Sequence, residues 1–126
     1  MKSRAPRNEI QRLIYATRNS LKGYFRVFRD EAAFRTQITV LVAVIPLAVW
    51  LGQSWTEFAL LVGSWTLVLA AELGNSAIEA VVDRVGREEH DLAGKAKDAG
   101  SAMVMTAMLI AGLVWLAVIL DRLGGF

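Results

Sequence analysis

The sequence predicts an all-α membrane protein: three transmembrane helices preceded by an N-terminal amphipathic surface helix, packed as a helical bundle. Three observations carry this. Of 126 residues, 55% are hydrophobic and only 21% are charged, too few charges to cover the large surface of a small soluble domain. From Ala99 to Leu120, 22 consecutive residues carry no charge, a run of about 33 Å as a helix and about the thickness of bilayer hydrocarbon. The net charge of +2 also hides an asymmetry. Residues 1–35 hold nine Lys/Arg against three Asp/Glu, and the remainder holds five against nine.

Residues 8–30 read as the surface helix. On a helical wheel Leu13, Ile14, Thr17, Leu21, Tyr24, Phe25 and Phe28 fall within about 60° of Ile10, and Arg12, Arg18, Lys22, Arg26 and Arg29 fall on the other side. A basic amphipathic helix of this kind lies on a membrane surface, drawn to anionic lipid, and its cations can also hold phosphates.

The first span is expected over about 34–52, with Pro46 inside it as a source of a kink. Gly52 to Glu57 is a turn, with Trp50 and Trp55 at interface positions. The second span is expected over about 56–82 and the third over about 99–120. Lys/Arg bias places the N-terminus and the 84–98 loop in the cytoplasm, and the 52–57 turn and the C-terminus outside. No signal peptide is expected, because a long basic segment precedes the first apolar run. The chain reads as a single integral-membrane domain over residues 1–126.

Several chemistries are excluded. There is no Cys, so disulfides, thiolate metal sites and cysteine catalysis are absent. His90 is the one histidine, and neither a nucleophile elbow nor a Walker loop or protein-kinase glycine loop occurs.

The second span carries the chemistry. Relative to Glu72, Asn75, Ser76, Glu79 and Asp83 all fall within about 60° on the helical wheel. Ionisable groups inside a span are costly and mark functional sites. A structural alternative is an interhelical hydrogen-bond seam with Asn75 and Ser76 as glue. With the core taken from Phe58 over about 20 residues, Glu72 lies about 7 Å inside the inner edge and Glu79 at or beyond it. The two are about 10 Å apart along the axis, too far to chelate one ion together. A Mg²⁺ at Glu79 therefore needs a second carboxylate, and Glu31 at the inner end of the first span is the candidate. A lipid hydroxyl at the depth of Glu72, beside a metal–phosphate at the depth of Glu79, suits phosphoryl transfer to a headgroup. The 86–101 stretch, GREEHDLAGKAKDAGS, reads on periodicity as a polar loop.

The segments Glu31-Ala-Ala-Phe-Arg35, Glu72 to Gly86 (ELGNSAIEAVVDRVG) and His90 to Ser101 resemble the small prokaryotic diacylglycerol kinases, and the likeness extends from about Arg12 to Leu120. The resemblance implies transfer of the γ-phosphate of MgATP to the hydroxyl of diacylglycerol, giving phosphatidic acid, by a homotrimer in the bacterial cytoplasmic membrane. It implies Glu72 as the catalytic base and Glu31 and Glu79 as metal ligands. Nucleotide contacts would be Arg12, Asn19, Glu31, Glu79, Glu88, Glu89, His90, Lys97 and Asp98. Lipid contacts would be Arg12, Ser20, Arg35, Glu72 and Ser101, with Asn75 and Asp83 in support. Within the family pattern, Asn19 stands in place of a tyrosine, Tyr15 of a lysine, Gly74 of a larger aliphatic residue and Glu89 of an aromatic one.

Physics also argues for more than a monomer, since three spans alone cannot enclose a water-accessible site and shield five polar groups from lipid. The pairs Ala70/Gly74 and Ala107/Ala111 permit close helix approach. The partners expected are diacylglycerol, ATP, membrane lipid and further copies of the chain, with no nucleic acid. Two other readings stay open: the same chemistry on undecaprenol, and, from another class, a small proton-coupled transporter built on Glu72. A non-catalytic membrane subunit would leave the acidic stripe unexplained.

Overall fold

The computed structural model describes residues 8–125. Four helices follow one another: α1 (Glu9–Asp30), α2 (Ala32–Leu51), α3 (Trp55–Val85) and α4 (Asp91–Arg122). The described residues contain no strand. The last three helices are long and apolar enough to cross a membrane.

Helix α1 starts where Asn8 caps it, its side chain accepting the Gln11 N–H at 2.8 Å. None of its residues is buried. The apolar face predicted from the wheel is present and bare: Leu13 is 69% exposed and Phe25 75%. A stripe that the chain itself leaves uncovered is what a helix resting in the headgroup region presents to lipid.

A single extended residue, Glu31, separates α1 from α2. The break is stabilised by Arg35, whose Nη1 donates to the carbonyls of Phe28 (2.9 Å) and Arg29 (2.8 Å). These are two of the end carbonyls that a helix leaves without partners. Helix α2 thus starts at Ala32, two residues earlier than expected, and runs unbroken through Pro46 to Leu51.

At the α2–α3 turn, Ser54 Oγ accepts the Glu57 N–H (3.1 Å), and Glu57 Oε2 accepts the Gln53 N–H (2.8 Å). This is close to a capping box. Arg122, at the far end of α4, reaches the same turn. Its Nε donates to the Leu51 carbonyl at 3.0 Å, and its Nη2 pairs with Glu57. Trp50 and Trp55 at this end are 81% and 87% exposed, as interface anchors require.

Helix α3 is central and packs on both neighbours. One cluster joins Ala48, Leu61 and Val118; another joins Val68, Ala71, Ala107 and Ala111. The Ala107/Ala111 pair therefore serves packing within one chain. Two indole N–H groups cross between helices to backbone carbonyls, Trp65 to Gln37 (3.0 Å) and Trp115 to Leu61 (3.2 Å). In a low-dielectric interior such donors need a partner, and these ones also fix helix register.

Helix α4 begins at Asp91, eight residues before the expected span. His90 caps it, Nδ1 accepting the Leu92 N–H at 3.1 Å. The stretch read as a loop is helical beyond this cap because Leu92, Ala93, Lys95, Ala96 and Lys97 are all good helix formers. Likewise α3 continues to Val85, three residues past the expected end.

Candidate active site

Twelve carboxylate side chains lie within the described residues, and Glu72 is the one that is buried, at 7% exposure. It faces α2, where the Gln37 side chain is also buried and Nε2 donates to Glu72 Oε2 at 3.1 Å. Ser76, one turn on, is buried beside it. Asn75 and Glu79 are half-buried, and Asp83 is exposed. The stripe on α3 therefore runs from a closed interior at Glu72 to open water at Asp83. One chain alone closes over Glu72 and Ser76, two of the five groups.

Asn75 Nδ2 donates to Glu79 Oε1 at 3.3 Å. Its own Oδ1 is buried, has no hydrogen-bond partner, and lies against Gly100 of α4. One turn on, Asp83 pairs with Lys97 of α4 at 2.8 Å. Both residues line an open cleft of about 1330 Å³ between the end of α3 and the start of α4. Glu88, Glu89, His90, Lys97 and Asp98 all line this cleft. Five of the positions expected to contact nucleotide thus lie around one space, at the wet end of the acidic stripe.

A second cavity, of about 650 Å³, lies between α1 and α3. Ser20 and Arg26 line it from α1, Asp30 and Glu31 from the elbow, and Ser76, Ala77 and Ala80 from α3. Asp30 is engaged by Arg29, whose guanidinium hydrogen bond at 2.7 Å holds the carboxyl below the usual carboxylate range. The Glu31 side chain makes no hydrogen bond among the described residues.

The remaining expected positions stand apart. Arg12 and Asn19 are exposed on α1 and line neither space, and Arg12 pairs with Glu9 at 3.2 Å. Ser101 is exposed on α4. The Arg35 guanidinium caps α1.

The family model of the prokaryotic diacylglycerol kinases matches residues 18–119. The chain belongs to this family. It is therefore a lipid kinase and, with three helices able to span a bilayer, a bacterial inner-membrane protein. The diacylglycerol kinase of Haemophilus influenzae is 48% identical over 103 residues, covering 82% of this chain and 87% of that protein. That of Escherichia coli K12 is 44% identical over 114 residues, covering 90% and 93%. That of Pseudomonas aeruginosa is 43% identical over 111 residues, covering 88% and 90%.

A nucleotide-using kinase needs charge neutralisation at the phosphates, and carboxylate oxygens are the ligands that a hard divalent cation takes. Mg²⁺ is held through one or two carboxylates together with substrate phosphate, not by a closed protein cage. No group of three or more acidic, His or Cys side chains that could hold a metal occurs among the described residues of this kinase. The two carboxylates expected to serve do not share a space, since Glu79 lines neither the cleft nor the cavity. Glu79 has one oxygen held by Asn75. Glu31 lines a cavity that Ala80, the residue after Glu79, lines from α3.

The sequence reading missed Gln37 and Gly100. Gln37 was legible in principle, as a polar residue in an apolar span, by the same logic that singled out Glu72. Gly100 had no signal, because its role is the space it leaves for Asn75.

Proposed function

We propose that this lipid kinase transfers the γ-phosphoryl group of MgATP to the hydroxyl of diacylglycerol at the cytoplasmic face of the membrane. The observation that carries this reading is the buried Glu72, on the same face of α3 as the polar cleft that opens one to two turns beyond Asn75 and Glu79. A base that must take a proton from a lipid hydroxyl belongs at headgroup depth. A nucleotide belongs in water, and the stripe joins the two.

In this reading Glu72 accepts the hydroxyl proton as the hydroxyl oxygen bonds to the γ-phosphorus. The bond from that phosphorus to the bridging oxygen breaks, and ADP leaves through the cleft. Glu31 and Glu79 would hold Mg²⁺, which would neutralise phosphate charge. Lys97 and His90 bind the nucleotide, and Asn75 orients Glu79. Positioning and charge neutralisation supply most of the catalysis of phosphoryl transfer, with general-base help of about 10²–10⁴-fold.

The names of the relatives favour diacylglycerol over undecaprenol. The excess of Lys/Arg in the first 35 residues puts the N-terminus in the cytoplasm and, after three spans, the C-terminus outside. Many large apolar side chains stay exposed on α2 and α4. A trimer would cover part of that surface and complete the site between neighbouring copies.

The deciding experiment mixes the purified protein with γ-labelled ATP, Mg²⁺ and either diacylglycerol or undecaprenol in micelles. Label in phosphatidic acid is the expected result. Label confined to undecaprenyl phosphate would move the substrate assignment, and no lipid label with either alcohol would overturn the reading.

A further inference from the structure

Gln37 is held at both ends. Its backbone carbonyl accepts the Trp65 indole N–H at 3.0 Å, and its Nε2 donates to Glu72 Oε2 at 3.1 Å. Trp65 and Glu72 are seven residues apart on α3, hence on one face, so a single residue of α2 is fastened to two points about 10 Å apart along α3. The amide nitrogen is the end that faces Glu72. That orientation leaves Gln37 Oε1 buried without a partner.

This is an unfavourable way to fill a core position. A buried acceptor without a donor destabilises the fold, and an apolar side chain of similar volume would have no such group. Packing therefore does not account for the amide. Its effect falls on Glu72: one carboxylate oxygen is occupied, and the other makes no hydrogen bond among the described residues.

We propose that Gln37 is the positioning residue of the catalytic base. It fixes the rotation of the Glu72 carboxylate and leaves one oxygen available for the lipid hydroxyl proton, and Trp65 holds Gln37 in register. The inference rests on Glu72 being the base.

The test compares wild type, Gln37→Met, Glu72→Gln and the double variant, as full chains in mixed micelles of lipid and detergent. The readings are kcat, both KM values and the oligomeric state by size exclusion. Gln37→Met is expected to lower kcat at least tenfold and to leave KM for MgATP and for diacylglycerol within twofold. In the Glu72→Gln background the same change is expected to cost no more than a further twofold, because its effect runs through the carboxylate. Wild-type kcat in Gln37→Met, a loss carried by KM, or an undiminished second loss in the double variant would each overturn the proposal. If Gln37→Met yields no folded protein, Trp65→Phe replaces it. A severalfold fall in kcat alone then supports the proposal, and unchanged kcat overturns it. The two levels separate cleanly. An inactive Glu72→Gln beside a fully active Gln37→Met removes only the role of Gln37. A fully active Glu72→Gln removes the base and this inference with it.

Discussion

Gly100 of α4 lies so close to Asn75 of α3 that a Cβ at position 100 would overlap Asn75 Oδ1 and stand 3.3 Å from its Cγ. The amide is wedged between this glycine and Glu79, to which its nitrogen donates. Gly→Ala inside a helix ordinarily stabilises by about 0.5–1 kcal/mol. Gly100→Ala is expected to do the reverse, lowering stability by about 1–3 kcal/mol. It is also expected to cut turnover at least tenfold, because a shift of the Asn75 amide disturbs its hydrogen bond to Glu79. Thermal unfolding in detergent and a coupled kinase assay check both.

Glu72→Gln preserves shape and leaves a group able to hydrogen-bond Gln37. It is expected to fold and assemble as wild type while kcat falls by about 10²-fold or more, the range of a lost general base. Size exclusion and steady-state kinetics check it, and wild-type turnover would sink the assignment.

Arg122 holds Glu57 and the Leu51 carbonyl at the end of the bundle opposite the cleft. Arg122 and Glu57 are about three-quarters buried, at 21% and 26% side-chain exposure. Arg122→Ala removes the cation from a shielded carboxylate, which keeps only the Gln53 N–H, and the side-chain donor from the Leu51 carbonyl, so a loss of about 1–3 kcal/mol is expected. Turnover per folded molecule should stay unchanged, since the site is distant. Unfolding by denaturant, with activity scaled to folded fraction, separates the two.

Lys97 sits in the cleft and pairs with Asp83 at an exposed position, where ion pairs add little stability. Lys97→Gln is expected to raise KM for MgATP about tenfold, the order of one lost charge-assisted contact. KM for lipid and the melting temperature should hardly move. An unchanged nucleotide KM would remove Lys97 from the site.

Chelation with EDTA should abolish activity, and added Mg²⁺ should restore it. Helix content by circular dichroism should not change, because no cage of three or more ligands among the described residues draws on metal for folding.

The sequence disclosed the fold through quantities that survive without coordinates. Charge-free length marked α4, the wheel of Ile10 to Phe28 marked α1, and the acidic stripe marked the polar face of α3. Helices α3 and α4 run past the expected spans because hydropathy measures affinity for lipid, whereas helices stop where caps are. His90 and Gly86 set those limits in water. Glu72 was legible because a carboxylate in a span has few reasons to be there. Its neighbour Gln37 was not, since a neutral amide stands out less and their pairing spans 35 residues of sequence. The bond from Arg122 to Glu57 was hidden by the same distance, and the wedge at Gly100 because a missing methyl is visible only against what occupies its space.

Helix α4 is tied to its neighbours near both ends, by Lys97 to Asp83 and by Arg122 to Glu57. The lengths of α3 and α4, 31 and 32 residues, correspond to about 46–48 Å against about 30 Å of hydrocarbon. The surplus must project from the bilayer or be absorbed by tilt. Membrane thickness thus sets how far the cleft stands above the headgroups, and hydrophobic mismatch acts directly on the distance between that cleft and the depth of Glu72.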